Sequence, residues 1–300
     1  MPIYSPYFHI FRGGHHHHVL DLFTELRKTP EGRTHISALH LLWKDLQTLF
    51  EYIEPTQANL GAYSHRTFEL LMRCAMEVES NFKVIFEKNG HPLDSANIKR
   101  YSDLDPLMKL SEYSVELPGF SLEKSTPFIN FAEPNRDYRS PKWYISYNNS
   151  KHNRISNFKE ANFEAVIDAM SGLFVLVCAQ YGNNFNVSVI DKNKPTTQPT
   201  MFNIVKWPEW SPDELYDSAG TKPEWAQADI PVREHNPRKR SYGSWPSDPW
   251  ERVVIVQKCC VGVDAPSSVE IANKCEADET EIKKIMDGLV ALGVISGGVS

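Results

Sequence analysis

Residues 158–181 read FKEANFEAVIDAMSGLFVLVCAQY, and from Ala161 onward apolar side chains occupy most of the helical circumference. Ala161, Val166, Ile167, Met170, Leu173, Phe174, Val177, Cys178 and Tyr181 leave no broad polar face, which is the pattern of a helix buried on nearly all sides. A buried helix needs partners, and the chain supplies them upstream. Ile36, Leu39, Leu42, Trp43, Leu46, Leu49, Phe50 and Ile53 recur at helical spacing over five turns from Thr34, and Glu54-Pro55 closes that segment. A second stripe of Phe68, Leu71, Ala75, Val78, Phe82 and Ile85 runs from Ser64 to Lys88, with Asn89-Gly90 as its stop. Asp105-Pro106 and Ser140-Pro141 have the form of a cap followed by proline at the first helical position, so short helices are expected at 106–113 and from 141 through Lys151. Residues 114–138 are expected to be a loop with one extended stretch. Strand signals are few, and the expected fold is mainly α, a helical bundle over residues 32–190.

Outward from the bundle the composition changes. Residues 1–31 are rich in Pro, Gly and His and are expected to be irregular. Residues 191–250 form an arm: its part from 195 onward holds nine of the 20 prolines and five of the seven tryptophans, too aromatic for a free linker, so packing against the bundle through Trp207, Trp210, Trp225, Trp245 and Trp250 is expected. Residues 251–300 resume regular patterning. SSVEIANKCEADETEIKKIMDGLVALGVI resembles the helix-turn-helix core of a winged-helix domain, with Val269, Ile271, Ala272, Ile282, Ile285, Met286, Leu289 and Leu292 as its apolar set and Gly293 at the helix stop.

The chain has 300 residues and a net charge of −6, which excludes a polycation that binds nucleic acid over its whole surface. Between Asp264 and Asp287 seven acids face three lysines, and the would-be recognition helix opens Asp278-Glu279-Thr280-Glu281. That is favourable helix N-terminal chemistry but repels phosphate, so a protein partner is the expectation for this module. The start of the chain lacks a basic and apolar leader, and the longest uninterrupted apolar run, Ala169–Ala179, is far shorter than the roughly 20 residues that span a bilayer. A cytoplasmic protein without a membrane partner is therefore expected. Five cysteines without CxxC spacing argue against a zinc or disulfide framework, and the His15–His18 run is not expected to form a specific metal site. No cofactor motif occurs.

One stretch departs from the acidic background. Arg139–Lys159, RSPKWYISYNNSKHNRISNFK, has five positive residues and no Asp or Glu, interleaved with Trp143, Tyr144 and Tyr147. Cations beside flat aromatic faces suit single-stranded RNA or a nucleotide. His152 is the side chain suited to proton transfer near neutrality, and Asn148, Lys151 and His152 share a helix face. In such a site His152 would move the proton and Lys151 or Arg154 would hold the developing negative charge. The plainer reading makes Trp143 and Tyr147 core residues and the cations a solvated helix end. On the companion helix Arg73, Glu77 and Asn81 are polar positions on a half-buried surface. Arg73–Glu77 is expected to be an i,i+4 ion pair, or else Glu77 is expected to orient His152. Arg238-Lys239-Arg240 in the arm is expected to be solvated.

YNNSKHNR at 147–154, together with the 158–181 helix and YSHRTFELLMRCAMEVESNFKVIF at 63–86, resembles a bacterial family that pairs two such helices. It is similar also to the HEPN superfamily of small helical bundles. The resemblance covers about residues 34–215. It implies a bundle that dimerises and, in many members, metal-independent RNA cleavage in toxin–antitoxin or phage-defence systems. The active HEPN motif runs from an arginine through a polar residue to a histidine about five positions on. Asn148 and His152 match it, while Tyr147 stands where the arginine belongs. The resemblance thus implies His152, Asn148 and Lys151 as catalytic residues, and Arg154, Tyr147, Arg73, Glu77 and Asn81 as the substrate-binding set. Without the motif arginine, the alternative is a non-catalytic adaptor or a nucleotide- or protein-binding scaffold.

Overall fold

A computed structural model describes residues 5–12, 17–93, 97–185, 187–191, 194–199, 201–217, 224–231, 252, 256, 267–268, 271–272 and 278–291. The chain divides into two compact units, Met1–Arg233 and Glu234–Ser300.

The first unit is mainly α. Its long helices are α1 (His17–Arg27), α2 (Pro30–Phe50), α3 (His65–Lys88), α6 (Lys142–His152) and α8 (Phe163–Tyr181), with short helices α4 (Ile98–Tyr101), α5 (Asp105–Met108) and α7 (Arg154–Asn157) between them. Helices α3 and α8 form the central pair, flanked by α2 and α6, and α1 packs against α2 and α8. Seventeen of the 19 residues of α8 are buried, so the helix is the axis of the core that its sequence pattern demands. It is also long and apolar enough to cross a membrane, but nearly all of it is covered by the other helices.

Local chemistry explains the boundaries. Ser64 caps α3 by accepting the Thr67 amide while the Thr67 hydroxyl accepts the Ser64 amide, a reciprocal capping box. Asn162 caps α8 through the Ala165 amide. Helix α2 starts four residues before the expected Thr34, because Thr29 accepts the Gly32 amide and Pro30 supplies a ready-made first turn. Asp105 does not cap: it lies inside α5, and its carboxylate instead accepts the Ser111 amide and hydroxyl, both at 2.8 Å, which folds the following turn back. At α6 Pro141 takes the cap position and no side chain caps the helix.

The segment expected to be irregular, residues 1–31, carries α1, and its extended part is built into the core. Ile10 is fully buried, and Asn89 clamps the Phe8 carbonyl and the Ala228 amide at 2.9 and 2.8 Å. The arm docks as expected where it is described. β1 (Ser114–Glu116) pairs antiparallel with β4 (Asn203–Lys206), and β2 (Val187–Asp191) with β3 (Lys194–Pro199). Trp225 stacks on Phe8, Trp207 meets Tyr113, and Trp210 takes the Arg12 and Lys109 cations on its face. Trp245, Trp250 and the Arg238–Arg240 cluster lie outside the described residues, as do His15, His16, Cys259, Cys260 and Cys275.

In the second unit, α9 (Glu279–Ala291) buries Ile282, Met286 and Leu289, and Val256, Ile271 and Ala272 are buried too. The Ile271 amide reaches the Ser267 carbonyl, a helical bond at the position where a short helix is expected. Val269, Leu292 and Gly293 fall outside the described residues.

Candidate nucleic-acid interface

Helix α6 is anchored at three levels by its aromatic residues. Trp143 Nε1 donates to the Pro127 carbonyl at 3.0 Å and its ring lies on Gly172, where even a methyl group would come within 3.3 Å. At the next residue, the Tyr144 hydroxyl donates to Glu79 of α3 at 2.7 Å. Tyr147 is buried against Tyr144, and Lys151 covers it, with Nζ 3.0 Å from the phenol oxygen and 5.0 Å from the ring centroid. This bond to Tyr147, with Glu79 nearby, holds the Lys151 ammonium above the usual lysine range, so it stays charged. Trp143 and Tyr147 are therefore core residues.

The helix stops at His152 because Asn153 leaves the helical region, and the chain turns back through α7. Three bonds pin that reversal: Asn149 to Glu160 at 2.7 Å, Ser150 to the Asn157 carbonyl at 3.2 Å, and Asn157 to the Asn149 carbonyl at 3.3 Å. The turn delivers Arg154 to the start of α3. Its guanidinium lies 4.3 Å from the Phe68 centroid and 5.6 Å from that of Phe158, and donates to His65 Nδ1 at 2.8 Å. As acceptor at Nδ1, the His65 ring carries its proton on Nε2. Tyr63, Phe158 and the fully exposed Ile155 complete an apolar surface beside Lys151, His152, Arg154 and Lys159, whose charged or imidazole groups all reach solvent.

The expected residues separate into two groups. Tyr147, Lys151, His152 and Arg154 gather at the α6–α7 end, where Asn148 is half-buried. Arg73, Glu77 and Asn81 face other partners. Arg73 pairs with Asp45 of α2 rather than with Glu77. In the Arg73–Glu77 order the acid lies C-terminal to the base, the weaker arrangement for side chains that lean toward the helix start, and Asp45 is the better placed acid. Glu77 is half-buried, and burial raises its carboxyl above the usual range against the pull of Arg73. No hydrogen bond joins it to His152, which among the described residues has no hydrogen-bonding or ionic partner. Asn81 is fully buried, donating to the Glu77 carbonyl and accepting from Gln180 at 2.8 Å each, so it belongs to the core. The basic stretch also divides. Arg139 is buried beside Asp103 at 3.7 Å and donates to the Glu133 carbonyl at 2.6 Å, and Lys142 lies a helix length from Lys151.

His65 and Phe158 complete the surface together with Phe68, and neither of the two was singled out in the sequence. Phe68 reads there as a core position, and His65 and Phe158 join Arg154 only through the chain reversal. Comparison with family models, curated proteins and solved structures returns no match to this chain.

Proposed function

We propose that the chain is a HEPN-like RNA-binding protein whose basic, aromatic α6–α7 end holds a single strand, without cleaving it. The supporting observation is the seating of Arg154. A guanidinium laid over two aromatic rings and bonded to His65 is pre-organised to meet a phosphate or stack on a base, and exposed Lys151, His152 and Lys159 extend the positive surface beside it. Binding is favoured over metal-independent cleavage because Tyr147, in the place of the motif arginine, is buried with its hydroxyl taken by Lys151. The motif arginine that would stabilise a pentacoordinate phosphate is thus missing from that position, and the Lys151 ammonium beside it is already engaged with the phenol. The winged-helix-like C-terminal unit, with Asp278 and Glu279 exposed at the start of α9, serves as a protein-interaction module in this reading.

The test is fluorescence anisotropy of a labelled single-stranded oligoribonucleotide titrated with full-length protein across a salt series. Each phosphate contact removed should flatten the plot of log affinity against log salt by about 0.7, so a Lys151→Ala/Arg154→Ala variant should flatten it by about 1.4. RNA recovered intact with EDTA present or absent is expected. Degradation that disappears in His152→Ala would replace this reading with an endoribonuclease, and no saturable binding at low salt would defeat both.

A further inference from the structure

Two residues of α8 escape burial, Glu164 and Asp168, and they stand one turn apart on one face of a helix that is otherwise core. Both line a cavity of about 300 Å³, at the small end of the range for ligand sites. Its apolar walls come from Val115 of β1, Phe202 ahead of β4, and Trp143, whose indole is fixed by its bond to the Pro127 carbonyl. The polar side is equally rigid. Ser125 exchanges both backbone hydrogen bonds with Val115, at 2.9 Å each, and its hydroxyl donates to Asp168 Oδ1 at 2.8 Å. Among the described residues Asp168 Oδ2 has no hydrogen-bonding or ionic partner. Lys124 and Lys142 also line the cavity; both are exposed and neither forms an ion pair with Asp168, although the Lys142 charge acts on that carboxylate. Burial and the neighbouring Glu164 charge push the Asp168 carboxyl above its usual range, outweighing the Ser125 hydrogen bond and the Lys142 charge that pull it down.

We propose that this cavity binds a small molecule bearing a primary ammonium group on an apolar body. The ammonium donates to Asp168 Oδ2 with Glu164 as the second acid, and the body lies against Trp143, Val115 and Phe202. A cation suits the site because it relieves the repulsion between two carboxylates one turn apart and supplies a donor to Asp168 Oδ2. An anion would meet that same pair. The site lies on α8, away from the Arg154 surface, and does not depend on RNA binding.

Isothermal titration of the full-length protein with phenethylamine, phenylalanine, 2-phenylethanol and phenylacetate tests this. The expected result is saturable binding of phenethylamine, of phenylalanine or of both, and none by the neutral or anionic compound. If phenylalanine alone binds, the ligand is an amino acid whose carboxylate uses the lysines. Asp168→Asn keeps an oxygen to accept from Ser125 and should weaken binding at least about tenfold, the scale of one lost charged hydrogen bond. If that variant does not fold, Glu164→Gln at an exposed position carries the test, with an expected loss of about threefold at low salt. Equal binding of 2-phenylethanol or phenylacetate overturns the proposal, as does the failure of both ammonium compounds to bind. Unchanged affinity in the folded Asp168→Asn variant overturns it too.

Discussion

Lowering the pH from about 7.5 to about 5 should destabilise the first unit through two buried histidines, His9 and His35, by about 4 kcal/mol in total. His9 is 1% exposed and His35 4%, and burial lowers both from 6.5 to about 4, with His9 lowered further by the facing His35. His9 Nδ1 is 3.1 Å from Gln180 Oε1, and His35 Nδ1 is 2.7 Å from the Tyr181 hydroxyl, so each ring has one polar partner at Nδ1 while burial holds it neutral. A base with a depressed folded value binds fewer protons folded than unfolded. Its stabilising contribution is complete above 6.5 and is lost as the pH falls toward about 4. Each histidine then forfeits about 2 kcal/mol at about pH 5 and about 3 kcal/mol below its folded value. Against a typical total of about 5–15 kcal/mol this is a large fraction.

Other groups titrate nearby. Raised Glu77 and Asp168 work in the opposite direction, while the lowered Glu31 and Glu214 add loss as the pH falls through the carboxylate range. The comparison that isolates the histidines is therefore between variants. His9 sits at φ 57°, where asparagine is tolerated, so His9→Asn and His35→Gln remove the titrations without forcing the backbone. Urea unfolding followed by far-ultraviolet circular dichroism at both pH values should show each single variant losing about half as much stability on acidification, and the double variant little. A double variant as acid-sensitive as the parent would refute the reasoning.

Three further outcomes follow from packing. Gly172→Ala places a methyl group 3.3 Å from Trp143 and 3.5 Å from Phe128, and should cost about 1–3 kcal/mol in urea unfolding; an unchanged midpoint would show that the Trp143 contact yields freely. Thr29→Ala removes the acceptor of the Gly32 amide and should cost about 1 kcal/mol, with Thr29→Ser retaining most of it. In a variant with serine at 259, 260 and 275, the fully buried Cys74 and Cys178, whose thiols burial raises far above the usual range, should not react with Ellman's reagent until urea unfolds the chain; rapid reaction in buffer would contradict their burial.

The mainly α architecture was legible because its signals are local. The apolar stripes of α2, α3 and α8 and the Ser64 start of α3 are set within a turn or two of chain. The misplacements have equally local causes. Thr29-Pro30 opens α2 ahead of its apolar stripe, and α1 falls in a stretch whose histidines and glycines conceal a short helix.

The candidate site was legible only in part. Lys151, His152 and Arg154 occupy one end of the bundle because they are neighbours in the chain. Tyr147 is covered by Lys151, and its burial follows from the same aromatic spacing that anchors α6.

Sequence alone thus determined the long helices after α1, their buried faces and the location of the basic segment, since hydrogen bonds four residues apart and a 3.6-residue period are properties of contiguous chain. Tertiary structure alone decided the use of each charge. Arg139 is drawn into the core by Asp103 and Asn81 by Gln180, Arg73 is held at the surface by Asp45, and Arg154 is turned outward onto His65 and Phe68. Those partners lie between 28 and 99 residues away along the chain, and the order in which the helices pack, rather than any spacing in the sequence, brings them within reach.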